Sequence, residues 1–508
     1  MRLTLSLLLF ATASLADQHQ TQTAPPSNVV IPQGYTMSAV ATGLNFPTAI
    51  TFHGDSIWVA EAGIITPPAV KQIDDKGNVT PVLTSAMLPA GTLVAPVTGI
   101  TFAQGWIWLV HRQTTTSGGV PVGVISKFRP NDPAGTFQTV VTGLPFFGDH
   151  PASSIAFGAE GRAYLMTGLP TNSGVVGPDN GWSVNFPNLH DFPAVDVELS
   201  GIGYQTAPSA RPFALDPGAV KITEPFMPFG AGLVPAGTVV HAPTPANPAN
   251  GFITAGGGAV YSFDPHAPNA TSTLRLEGWG FRNDYALAFD PFHPDLLFVS
   301  NNGTDARGSR PIANDLDDMF VIHVGQGAQF FGWPDYFHDP VTLQPRPVTD
   351  PFFCPPSPPY GVCPQFAFSD SFRSTLTVQP AFAELDNHSS ANLFDFSRDS
   401  DFGFRGDIFI AETGSLPPGT GATTLTGYKV AHIDRQTGAV SDFIAHTSND
   451  TATIFQPAGF NKPIDVKFHD SDMFIADFGI FAPATPTPGS GKIWKVSRIH
   501  GEHDSGRE

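Results

Sequence analysis

The sequence predicts an all-β protein, a six-bladed β-propeller with a long loop insertion, on three observations. First, 51 Gly and 50 Pro make about a fifth of the 508 residues turn formers, which suits many short strands better than long helices. Second, one template recurs six times: a short apolar strand with Phe near its end, a turn, then a second strand. Third, no charged or Ser/Gly-rich linker divides the chain, so one closed ring is expected in preference to a large β-sandwich or two all-β domains.

Taken in order, Arg2, the apolar run 3–13 and Ser14-Leu15-Ala16 have the layout of a secretory signal peptide, residues 1–16, which implies an exported mature chain. Residues 17–33 read as an N-terminal extension and 34–499 as the propeller. Its hairpins are "TAITFHGDSIWVAEAG" from Thr48, "TGITFAQGWIWLVHR" from Thr98, "SSIAFGAEGRAYLMTG" from Ser153, "YALAFDPFHPDLLFVSNNG" from Tyr285, "ANLFDFSRDSDFGFRGDIFIAETG" from Ala391 and "PIDVKFHDSDMFIADFG" from Pro463. Further strands at "GAVYSFDP" (from Gly258), "DMFVIHV" (Asp318), "YKVAHID" (Tyr428) and "KIWKVSR" (Lys492) build toward four strands per unit. Residues 169–255, rich in Pro, Gly and Asn with little period-2 alternation, read as a loop-rich insertion over one face, and 500–508 as a polar tail.

Charge bounds the partners. With 25 Lys+Arg against 44 Asp+Glu, the formal charge of −19 argues against nucleic acid or an anionic membrane surface, and past the leader no segment holds eighteen uncharged apolar residues. The two cysteines, Cys354 and Cys363, lie in a Pro-rich loop and are expected to pair in an oxidising compartment. Asn-x-Ser/Thr sequons at Asn78, Asn269, Asn302, Asn387 and Asn449 are compatible with a secreted glycoprotein.

Corresponding strand ends of a propeller converge on one mouth of its channel. Just past the second strand of each hairpin stand Glu61, His111 with Arg112, Thr167, Asn301 with Asn302, Glu412 and Asp477, polar at the same point in all six units. Singly, each reads as a cap on a blade end; as a set they point to a functional face. In this cation-poor chain "WGFRNDYALAFDP" (279–291) also puts Arg282 and Asn283 directly before a buried strand. Arg282 is either a salt-bridge partner of Asp284 or Glu277, or a fixed donor for an anionic ligand.

That stretch, followed by "LLFVSNNGTD", "NDLDDMFVI" and "FGWP", resembles the glucose/sorbosone dehydrogenase family, which includes soluble quinoprotein glucose dehydrogenase and fungal pyranose dehydrogenases. "GLPFFGDHPASSIAFGAEGRAYLMTG" is similar to the family's His-containing segment, and "HSSANLFDFS" with "FRGDIFIAETGS" to its late blade, so the likeness spans roughly residues 34–498. The resemblance implies a secreted dehydrogenase that oxidises a sugar or related alcohol by hydride transfer to pyrroloquinoline quinone, assisted by calcium. His150 would take the hydroxyl proton, a task for a group that is basic near neutrality. Arg282 and Asn283 would hold the quinone, a tricarboxylate; Arg112, Lys462 and His388 are this chain's own candidates to replace family cations it lacks. Calcium would sit on the loop Gly303-Thr304-Asp305, with Asp317 and Asp318 ordering that loop or binding a second ion. No Cys-x-x-Cys-His haem motif is present, so electrons would pass to a separate acceptor.

The chain also departs from the family. Glu412, Thr413 and Gly414 stand where a lysine is expected, Lys462 alone marks an expected arginine pair, and apolar "LVAPVTG" from Leu93 replaces a Gln-Gly-Gly segment. Two alternatives follow: a non-enzymatic secreted propeller that binds carbohydrate or protein, and a calcium-dependent lactonase-type hydrolase in which Glu61, Asn301, Glu412 and Asp477 surround one ion. Neither a Gly-x-Ser-x-Gly elbow nor a P-loop is present.

Overall fold

The computed structural model describes residues 25–115, 119–205, 221–355, 363–417 and 424–499; the expected signal peptide and polar tail lie outside them. Six sheets, antiparallel apart from one parallel outer pair in blade 3, form a six-bladed β-propeller. Their innermost strands are Pro47–His53, Val94–Ala103, Ile155–Phe157, Asn283–Phe289, Ala391–Phe396 and Pro463–His469, and each touches the next around a ring that closes from blade 6 to blade 1. All six line a central channel of about 310 Å³.

Each repeated hairpin of the sequence is the inner pair of one blade, because alternation and turn chemistry act locally. Blades 1, 2 and 6 close this pair with two-residue turns, between His53 and Ser56, Ala103 and Trp106, and His469 and Asp472. Gly54, Gln104 with Gly105, and Asp470 supply the positive φ that such tight turns demand. The third strands at Ala259–Phe263, Asp318–His323, Lys429–Ile433 and Gly491–Arg498 fall where the alternation places them.

Ring closure joins the chain ends: Tyr35–Leu44 pairs antiparallel with Gly491–Arg498 as the outer strand of blade 6. The described part of the expected extension also joins the ring, since Val29–Val30 pairs with Val440–His446 of blade 5 and Asn28 donates to the Phe460 carbonyl at 2.7 Å. Between blades the chain uses its 42 phenylalanines. Phe402, Phe409, Phe443 and Phe468 meet edge-on or tilted between blades 5 and 6, with Phe409 and Phe443 centroids 4.8 Å apart. Full burial of each such ring contributes on the order of 2 kcal/mol.

Two long excursions leave this frame. Between its second and third strands blade 3 makes the excursion 168–258, which includes the short pairs Val197–Glu198 with Val239–Val240 and Tyr204–Gln205 with Ile222–Thr223. Blade 4 contributes the loop 303–317 and the segment 331–382, which carries the Cys354–Cys363 disulfide. No helix among the described residues is long and apolar enough to cross a membrane.

Candidate functional site

A cavity of about 420 Å³ opens at the mouth over blades 3 to 5, where chain segments enter innermost strands and leave second strands. Asp149 and His150 precede the first strand of blade 3, Arg282 and Asn283 begin that of blade 4, and His388 and Ser390 precede that of blade 5. Asn302, Gly303, Asp305, Arg307 and Asp317 come from the blade 4 loop, and Gly414, Ser415 and Leu416 from blade 5. His388 and Ser390 are both non-glycine residues at positive φ (59° and 54°), a conformation that persists only where the surroundings enforce it.

His150 is 6% exposed, and its Nδ1 lies 2.6 Å from the Leu169 carbonyl oxygen, which can only accept. Nδ1 therefore carries the proton and Nε2 keeps a lone pair. Leu169 is itself held, because its N–H donates to the Arg282 carbonyl at 3.1 Å. Gly168 permits this approach: a Cβ there would stand 2.7 Å from that of His150. Burial, reinforced by the charges of Arg282 and Arg307, keeps the imidazole pKa well below its usual value, so the ring is neutral near pH 7 but a weaker base than the near-neutral group expected from the sequence.

Arg282 is buried, and neither Asp284 nor Glu277 is its partner. Its guanidinium donates to Asp305 (Nη2 to Oδ2, 2.7 Å), to the Asn172 side chain (2.8 Å) and backbone carbonyl (3.2 Å), and to the Gly303 carbonyl (2.6 Å). Arg307 is equally engaged, with Asp149 at 2.6 Å, Asp179 at 2.7 Å and Asp305 at 3.0 Å. His388 Nδ1 stands 3.1 Å from Asp305 Oδ1. Burial opposes ionisation of Asp305, but the charge of Arg282, the hydrogen bond from His388 and the charge of Arg307 outweigh it and hold the carboxyl far below the usual carboxylate range.

The expected calcium ligands do not converge. The Gly303 carbonyl already accepts from Arg282, and Thr304 donates through both N and Oγ1 to Asp315. Asp317 ties loop to blade, accepting from Gly303 N (2.9 Å), Ser389 Oγ (2.9 Å) and Ala391 N (3.1 Å), and burial raises its pKa to about 6. Asp318 turns away toward His338, 3.8 Å off. Among the described residues no group of three or more His, Cys, Asp or Glu is placed to hold a metal ion.

Arg112 and Lys462, expected beside the quinone, do not line the cavity. Arg112 Nε is buried without a partner on blade 2. Lys462 lies over the Tyr428 ring at 4.5 Å, and burial lowers its amine to about 7 against the pull of Asp477. Three of the polar strand ends are caps. Glu61 accepts from Asn45 N (2.6 Å) and pairs with Lys71 (2.7 Å); Asn301 accepts from the N–H groups of Arg282 and Asn283; Asp477 accepts from those of Asn461 and Lys462. Glu412 lies buried 3.7 Å from Lys429 with both carboxylate oxygens free of hydrogen bonds, and among the described residues no shell for a lactonase-type ion comes together. Asn302 is 6% exposed and cannot carry a glycan in the folded chain. Arg307, Asn172 and Asp179 were not foreseen; in a chain with 25 cations, a second arginine in the loop after Gly303 was the available signal.

A tricarboxylate quinone is tested by this charge pattern. Two arginines on the cavity wall face three aspartates, Asp149, Asp305 and Asp317, and the arginine donors are already engaged. The residues present offer no surplus positive charge, so they do not fit a trianionic guest.

No family model matches the chain, and no curated protein matches it. Among solved structures it is similar to the holo form of the PQQ domain of pyranose dehydrogenase from Coprinopsis cinerea, at 15% identity over 93% of this chain and 98% of that one, with a TM-score of 0.55. It is also similar to a Trichoderma reesei carbohydrate-active enzyme of family AA12, at 15% identity over 94% and 99% of the two chains, with a TM-score of 0.54. At this identity the likeness is one of fold, and it agrees with the resemblance read from the sequence motifs.

Proposed function

We propose that this protein binds a small, uncharged sugar or related polyol in the cavity over blades 3 to 5 and that His150 Nε2 takes a proton from one of its hydroxyls. This is the proton half of an alcohol oxidation, and the class of activity is an oxidoreductase acting on carbohydrate. One observation carries the reading: an imidazole fixed through Nδ1 by the Leu169 carbonyl lines a cavity whose charged side chains are paired with one another. A hydroxyl both donates and accepts, so a polyol can bond to such a wall without requiring net charge from it. Asn283 and Asn302 belong to the same wall.

Oxidation would also move a hydride from the carbon that bears this hydroxyl to a separate two-electron acceptor of the quinone or dye class. The sequence resemblance implies pyrroloquinoline quinone with calcium, and the fold neighbour from Coprinopsis cinerea is described with that quinone; the paired arginines weigh against it here. Sugar binding without turnover is therefore the second reading, and export of the chain remains part of the proposal on its N-terminal sequence.

Calorimetric titration with a panel of neutral aldoses and alditols, followed by dye reduction with and without added quinone and calcium, separates these readings. Saturable binding with dye reduction that is lost in His150→Gln supports the oxidoreductase. Binding without turnover supports the second reading, and absence of binding by every sugar rejects both.

A further inference from the structure

We infer that Asp305 fills the position of an anionic guest, so that the cavity admits uncharged sugars and rejects carboxylated ones and the tricarboxylate quinone; the sugar half of this rests on the function proposed above. One carboxylate engages both of the cavity's arginines and the His388 ring. Oδ2 is 2.7 Å from Arg282 Nη2 and 3.0 Å from Arg307 Nε, and Oδ1 is 3.1 Å from His388 Nδ1. Asn172 pins the same residue through its backbone, its Oδ1 accepting from Asp305 N at 2.9 Å and its Nδ2 donating to Asp305 O at 2.7 Å. The side chain is 7% exposed and cannot swing aside without breaking these bonds. Arg307 has its other donors on Asp149 and Asp179. A guest carboxylate would meet occupied donors and the repulsion of Asp149 and Asp305, whereas a hydroxyl would meet neither penalty.

The test is equilibrium binding of three probes to the full chain, wild type and Asp305→Asn: pyrroloquinoline quinone, gluconate and glucose. Asp305→Asn is expected to bind both anions at least about tenfold more tightly, equivalent to about 1.4 kcal/mol, with a gain that added salt erodes. Asp305→Glu keeps the charge and is expected to gain nothing. Tight quinone binding by wild type, or an equal gain in Asp305→Glu, overturns the inference. If Asp305→Asn does not fold, Asp149→Asn releases one Arg307 donor and is expected to raise quinone affinity in the same direction; no gain there overturns the inference as well. Failure of glucose and every other neutral sugar to bind any form rejects the carbohydrate reading alone and leaves the anion result to stand or fall separately.

Discussion

Around one mouth of the channel, blades 6 and 1 spend their polar strand-end residues on backbone, whereas blades 3 to 5 leave polar groups facing a cavity. Asp477 accepts four N–H groups, from Asn461, Lys462, Gly479 and the Trp494 indole, and Glu61 holds Asn45 and Lys71. In blade 4 the same position is Asn301, which performs the same capping of Arg282 and Asn283. Chemistry there begins one residue later, in the loop that runs on through Asn302 to Arg307 and meets the blade 3 excursion at Asn172. A polar residue at a fixed point of the repeat reports a backbone that needs capping; a polar residue on an excursion from the repeat reports a site.

Several substitutions sharpen or break this contrast. The largest expected effect is on rate: His150→Gln lowers kcat on a sugar substrate by about 100-fold or more, the span of general-base catalysis, with little change in sugar affinity, checked by steady-state kinetics beside calorimetry. Arg282→Met leaves Asp305 buried without its closest partner and is expected to cost about 3–5 kcal/mol in denaturant unfolding. Asp191, buried beneath the cavity sector and bonded to Thr171, has its pKa raised by burial to about 7. Its folded pKa lies above the unfolded one, so its contribution is fully present below about pH 4 and is lost as pH rises through about 7. Asp191→Asn removes that slope, and the stability difference in favour of the variant should grow by on the order of 3 kcal/mol across this window, read from unfolding curves at several pH values. In the capping sector Asp477→Asn turns an acceptor into a donor facing Asn461 N–H and the Trp494 indole. It should cost about 2 kcal/mol of stability and leave sugar binding unchanged; a loss of binding would erase the distinction between the two sectors.

How much of this could be read in advance follows the range of the forces involved. The six inner hairpins were legible because alternation and tight-turn residues act within some twenty residues. Closure of the ring by Tyr35–Leu44 against Gly491–Arg498 was not, since nothing local marks a partner at the other end of the chain. His150, Arg282, Asn283 and His388 were placed in one cavity by motif. Arg112 and Lys462 were misplaced because a strand-end position fixes depth along the channel and not the direction around it. Of the acidic pair only Asp317 has the expected loop-ordering role: Asp318 opens the strand Asp318–His323, and neighbours on a strand face opposite sides, which sends Asp317 to Gly303 and Ser389 and Asp318 to His338. Arg307 and Asn172 were hidden for the opposite reason, since their contacts to Asp149 and Asp305 join segments more than a hundred residues apart.

The central claim, a neutral His150 facing an uncharged sugar, is tested most directly by NMR of the chain labelled with ¹⁵N-histidine, comparing wild type with His150→Gln. The account predicts one imidazole, absent from the variant, that stays neutral as pH falls through 6.5 and whose Nε2 signal moves on addition of a binding sugar. An imidazole that protonates near 6.5, or one whose signal is unmoved at saturating sugar, would contradict it.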